Sequence, residues 1–121
     1  METIQGKPIN NFDARVMVGA RLLNIEFGYF STQIHFDNEA TISMEDSFLY
    51  TNKDGVAVEV ACARVSATQL CESIHAVVLS AALNENGSFA LSFDDGISLT
   101  FLKRLFPESY SIKTISGTFV A

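Results

Sequence analysis

The stretch Leu91-Ser92-Phe93-Asp94-Asp95-Gly96-Ile97-Ser98-Leu99-Thr100-Phe101 decides the fold. Leu91, Phe93, Ile97, Leu99 and Phe101 alternate with Ser92, Ser98 and Thr100, and Phe89 extends the pattern upstream between Ser88 and Ala90. A period of two sends successive side chains to opposite faces, the mark of strands with one buried and one wet face. Asp94-Asp95-Gly96 between the two runs suits a three-residue hairpin loop, a type I turn closed by glycine in the left-handed conformation.

The pattern recurs earlier. Ile34-His35-Phe36-Asp37-Asn38-Glu39-Ala40-Thr41-Ile42-Ser43-Met44 stands at a constant offset of 57 residues, with Asp37 in the place of Asp94. An apolar run precedes each hairpin, Ala20 to Phe27 and Ile74 to Leu83, so each half reads as a three-stranded meander. The internal repeat spans about 18–62 and 70–121 of a single domain, 1–121. Further strands are expected at Ser47–Thr51 and Val56–Cys62, and at Tyr110–Thr114 and Thr118–Val120. Ser66-Ala67-Thr68-Gln69 fits a capping box and predicts a short helix at Ala67–Glu72, matched by another at Asp13–Val18. A longer helix running past Ile74 is the alternative, because Leu70, Ile74, Val77 and Val78 also fall at helical spacing. The expected fold is mainly β: two repeated antiparallel meanders forming a sandwich or partly open barrel, with one or two short helices. Its edge strands offer a route to a homodimer.

Composition narrows the partners. The chain has 121 residues, 48% of them hydrophobic, with ten Phe and no Trp, enough for one core without disulfides or metals. Fourteen acidic residues against eight Lys and Arg leave a net charge of −6. That balance argues against nucleic acid, whose binding rests on counterion release by basic residues, and against an anionic membrane. A basic protein would be drawn in. The first residues lack the charged and apolar regions of a secretory leader, no apolar run reaches spanning length, and Cys62 and Cys71 read as buried free thiols. A cytoplasmic location is the expectation.

The pattern apolar-x-Phe-Asp-Asp-Gly-x-x-Leu, carried by Leu91 to Leu99, and Glu-x-aromatic-x-apolar, carried by Glu108-Ser109-Tyr110-Ser111-Ile112, resembles a family of small bacterial proteins classed only as a domain of unknown function. A weaker first-half match runs from Val18-Gly19-Ala20-Arg21 to Phe36-Asp37. The chain departs from that pattern at Asn38-Glu39, where Gly is usual, at Tyr110, where Trp is frequent, and in lacking a Gly-Gly near its end. The resemblance implies a fold and brings no activity.

No residue pattern points to catalysis or to a cofactor. His35 and His75 are the only histidines, and no HxH, HxxxH or CxxC spacing marks a metal site. No nucleophile elbow or phosphate loop is present. The residues singled out are Asp37, Asn38, Glu39, Glu45 and Asp46, an acidic group around the first hairpin suited to a cationic protein partner. The expected function is a non-enzymatic binding protein, most concretely an immunity or inhibitor protein that neutralises a cognate bacterial toxin. The alternative is a small-molecule pocket between the repeats lined by Phe89, Phe93, Leu99 and Phe101. Glu39 poses a question of its own, since it stands where the second hairpin has Gly96. Either Asn38 takes the left-handed position there, or Glu39 takes it and keeps the strain.

Overall fold

The computed structural model describes residues 12–28, 31–45, 47–60, 70–103 and 110–120. Ten strands follow a short 3-10 helix at Ala14–Met17: β1 Leu22–Phe27, β2 Thr32–Phe36, β3 Thr41–Met44, β4 Phe48–Thr51, β5 Ala57–Val60, β6 Val78–Leu83, β7 Phe89–Phe93, β8 Ser98–Phe101, β9 Tyr110–Thr114 and β10 Gly117–Val120. They form two open, wholly antiparallel five-stranded sheets, ordered β1-β2-β3-β9-β10 and β5-β4-β8-β7-β6. Period-two alternation is kept: β2 and β7 both bury their first, third and fifth residues. The buried faces meet in one core, with Ile34, Phe36, Ile42 and Ile112 from the first sheet and Phe48, Leu91, Leu99 and Phe101 from the second. This is a β-sandwich.

Each meander keeps its own sheet, but each is completed by the last hairpin of the other half. β4–β5 joins β8, and β9–β10 joins β3. The registers correspond: Ile42 faces Ile112 as Leu99 faces Tyr50, and Met44 faces Tyr110 as Phe101 faces Phe48. The strands of these hairpins are legible in the sequence, whereas the sheets they join are not. Local alternation specifies which face of a strand is buried, not which neighbour it pairs with.

The halves also meet along their entry segments. Gly19 N and Leu22 N donate to Val78 O and Ala76 O at 2.8 and 3.0 Å, while His75 N and Val78 N donate to Leu22 O and Ala20 O at 2.7 and 2.8 Å. An approximate two-fold axis passes between Arg21 and Val77, which form the antiparallel bridge. Asp37 Oδ1 accepts from Arg21 N at 2.9 Å, and Asp94 Oδ1 from Val77 N at 3.1 Å. Each aspartate thus ties its hairpin turn to the strand-entry segment of its own half. Just beyond, both edge strands β1 and β6 shift register, between Leu22 and Asn24 and between Val78 and Ser80. The extra residues of these bulges, Leu23 and Leu79, are both exposed.

The helical expectations change in detail. The first segment is a 3-10 turn, capped by Asp13, whose side chain accepts from Arg15 N. The second is also a 3-10 turn, at 70–73; the capping-box residues 66–69 lie outside the described residues. The strand expected from Ile74 begins only at Val78, because His75 takes a left-handed φ of 79° and breaks the extended run. Cys71, expected to be buried, is exposed; Cys62 lies outside the described residues. Among the described residues no helix is long and apolar enough to cross a membrane.

Candidate functional site

Of the five residues singled out from sequence, the four that are described do not form one cluster. Asp37, Asn38 and Glu39 make the β2–β3 turn, whereas Glu45 follows the far end of β3. Six residue steps of near-extended chain separate Glu39 from Glu45 by roughly 20 Å. Glu45 borders a separate shallow recess of 180 Å³ with Ser43, Tyr110 and Thr118. Asp46 lies outside the described residues.

Within the turn, two of the three side chains have structural duties. Asp37 holds Arg21 N as described above. Asn38 accepts from Ala40 N at 3.0 Å and donates to Val16 O at 3.1 Å, tying the turn to the first 3-10 helix. Glu39 is different: among the described residues its carboxylate has no hydrogen-bonding or ion-pair partner. Its backbone settles the question raised above, with φ at 69° against 87° for Gly96. The two turns are alike, and Glu39 rather than Asn38 is left-handed. A left-handed conformation costs a non-glycine residue roughly 1–2 kcal/mol. Part of that is offset in any glycine replacement by the greater freedom of glycine in the unfolded chain. Glu39→Gly is therefore expected to stabilise the protein by about 1 kcal/mol, a rise in Tm of roughly 3–6 °C. A fall in Tm by scanning calorimetry would show that Glu39 makes a compensating contact.

The hairpin tip that faces this turn completes the site. Thr41 pairs with Lys113, which places Ile115 beside Glu39 as Lys53 lies beside Gly96 in the other half. There the stem of Lys53 runs so close that a Cβ on Gly96 would meet Lys53 Cβ at 3.1 Å. Glu39 carries such a Cβ, and the β9–β10 turn is also shorter, closing Thr114 on Gly117 where the β4–β5 loop closes Thr51 on Ala57. A recess of 260 Å³ opens instead, lined by Val16, Asn38, Thr114, Ile115 and Ser116. Ile115, at 76%, is the most exposed large apolar side chain among the described residues, in a tip where Asn, Asp, Ser or Gly is the usual choice. The two arginines near this corner are engaged, while Lys113, exposed across from Thr41, has no ion pair among the described residues. Arg15 is paired to Asp13 at 2.9 Å, which holds the Asp13 carboxyl below its ordinary range chiefly through the side-chain hydrogen bond. The Arg21 guanidinium donates to His75 O at 2.7 Å.

The equivalent corner of the second half is polar and satisfied. Tyr50, in the place of Ile112, donates to Glu72 Oε1 at 2.9 Å; burial first, and then this bond and the charges of Glu72 and Asp95, push its phenol up to about 12. Ser73 donates to Asp95 Oδ2 at 3.1 Å. Tyr50→Phe is expected to cost about 1.5 kcal/mol in urea unfolding, the low end for a bond to a charged group because Glu72 is exposed. An unchanged midpoint would mean that Glu72 is equally well solvated without it.

The sequence matches no protein-family model, and comparison with curated proteins and with solved structures gives no significant match.

The remaining candidates resolve as follows. Phe89, Phe93, Leu99 and Phe101, the walls of the small-molecule alternative, are all at most 2% exposed and belong to the common core. Phe89 packs on Phe101 with ring centroids 6.4 Å apart. His35 lies on the outer face of the first sheet between Glu26, at 2.7 Å, and Thr41, at 3.0 Å. His75 is in the left-handed linker before β6, so the two histidines do not converge. Among the described residues no three His, Cys, Asp or Glu side chains are grouped to hold a metal ion. Sequence reasoning found the turn but missed Val16 and Ile115. An isoleucine at a hairpin tip, where the matching position holds Lys53, was the available signal.

Proposed function

We propose that this chain is a non-enzymatic binding protein that docks a basic protein partner at the corner formed by Val16, Glu39 and Ile115. Its most concrete form is an inhibitor of the immunity type, acting in the cytoplasm on a cationic toxin; its affiliation is to the Phe-Asp-Asp-Gly hairpin family that the sequence resembles. The observation that carries the reading is the exposed Ile115 tip beside a mostly apolar recess, with Glu39, whose carboxylate is unengaged, next in the chain to the lining residue Asn38. Binding energy in protein interfaces concentrates in a few apolar anchors that fill pockets, with charges at the rim setting partner choice and encounter rate. A net charge of −6 adds attraction for a cationic surface at long range.

The test is affinity capture from the native host with the intact chain and with Ile115→Asp, using Leu79→Asp as a control. Leu79 is 61% exposed on the opposite sheet. The expected result is a basic protein retained by the wild type and by Leu79→Asp, but weakened about 30-fold or more by Ile115→Asp, the loss typical of a central anchor. Equal retention by all three, with unchanged circular dichroism, removes this corner from the function.

A further inference from the structure

The two corners related by the approximate two-fold differ in one respect that bears on what enters the open one. In the second half a lysine of the chain itself sits on the acidic turn: Lys53 lays its Cβ and Cγ over Gly96, 3.1 and 3.7 Å from where a Cβ would stand, in the turn that carries Asp94 and Asp95. In the first half the turn keeps its acids, as Asp37 and Glu39, but the residue at the Lys53 position is Ile115. No lysine or arginine side chain among the described residues is hydrogen-bonded or ion-paired to either acid.

From this we infer that the recess takes a lysine side chain presented by the basic partner, its stem against Val16 and Ile115 and its ammonium at the Glu39 carboxylate. The inference rests on the docking reading above and names the group that is recognised. Lysine suits the corner because its four-carbon stem buries against apolar surface while its head stays with the acid and with water. Both kinds of surface are at hand: Val16, Thr114 and Ile115 line the recess, and the register sets Glu39, whose carboxylate has no other duty, across from Ile115. The second corner supplies a precedent for the stem: β4 pairs with β8 as β9 pairs with β3, and there a lysine stem lies over an acidic turn, although the β4–β5 loop closes Thr51 on Ala57 and the shorter β9–β10 turn closes Thr114 on Gly117. Replacing that lysine with isoleucine, and the glycine beneath it with glutamate, leaves the position open and adds a negative charge at its mouth.

The experiment is an amide-shift titration of the intact, isotope-labelled chain with Nα-acetyl-lysine amide, and in parallel with Nα-acetyl-norleucine amide, which has the stem without the ammonium. The lysine amide is expected to give saturable shifts at Val16, Asn38, Ile115 and Ser116. The norleucine amide should move the same signals less than a third as far. Glu39→Gln, which keeps the size and the turn, should weaken the lysine amide at least threefold, and added salt should weaken it in the wild type only. Equal shifts with both amides, or shifts spread over the whole surface, overturn the inference. The two readings fail separately. If Ile115→Asp abolishes capture of the protein partner while the lysine amide gives no saturable shift, docking stands and lysine recognition falls. If the lysine amide binds as described while capture is indifferent to Ile115→Asp, the recess chemistry stands and the docking reading falls.

Discussion

Phe89→Ala is expected to destabilise the protein by about 3–5 kcal/mol, the usual cost of emptying a large aromatic site in a packed core. Phe89 is completely buried and sits where the two sheets share side chains. Its ring meets Phe12 edge-on at 5.7 Å, Phe101 of its own sheet at 6.4 Å and Tyr110 of the opposite sheet at 6.5 Å. The Tyr110 hydroxyl donates to Gly87 O, in the loop that leads into β7, and burial holds its phenol well above the ordinary tyrosine range. Collapse around a lost Phe89 ring would have to move this bonded pair, so the cavity is expected to persist. A chain of 121 residues has a total stability of roughly 6–18 kcal/mol, so this one change removes a large share. Urea unfolding should show a lower midpoint at an unchanged slope. A loss below about 1 kcal/mol would mean that the aromatic cluster repacks freely.

Ser43→Pro is expected to cost about 3 kcal/mol or more. Ser43 lies in β3, paired with Gln33 of β2 on one side and Ser111 of β9 on the other. Proline removes an N–H from the ladder and is tolerated only at sheet edges or bulges. The informative part is where the damage spreads. β3 is the strand on which the first half receives the hairpin of the second, and β8 receives β4–β5 in return. Loosening one junction therefore frees a hairpin whose half also builds the other sheet. Hydrogen exchange should show protection falling together at Ile42 and Ile112 in the first sheet and at Leu99 and Tyr50 in the second. Retained protection in the second sheet would mean that the sheets unfold independently, and that exchanging hairpins does not couple them.

Much of this architecture is legible in single residues. Phe89, Leu91 and Phe93 alternate with Ala90 and Ser92, and that alone places them in a half-buried strand. Asp94-Asp95-Gly96 announces its turn because glycine is suited to the left-handed position, and Glu39 was recognisable as the exception by its alignment with Gly96. The outcome at Glu39 was not legible, since a turn can change type to relieve strain; the Asp37 and Asn38 hydrogen bonds hold it in the same type as its counterpart. The candidate site was half legible. Glu39 was named from sequence, but Glu45 was grouped with it by chain proximity, and a four-residue strand carries the two to opposite ends of a sheet.

Sequence by itself determined the strands, their buried faces and their turns, because these depend on side-chain alternation and on the conformational needs of a few residues close in the chain. Tertiary structure decided which hairpin completes which sheet, and through that the corner where Val16 and Ile115 meet. Those residues belong to different halves, and neither carries a local signal for the other. They come together because β3 offers an unpaired edge that β9 fills, and pairing between distant strands is a property of the assembled sheet.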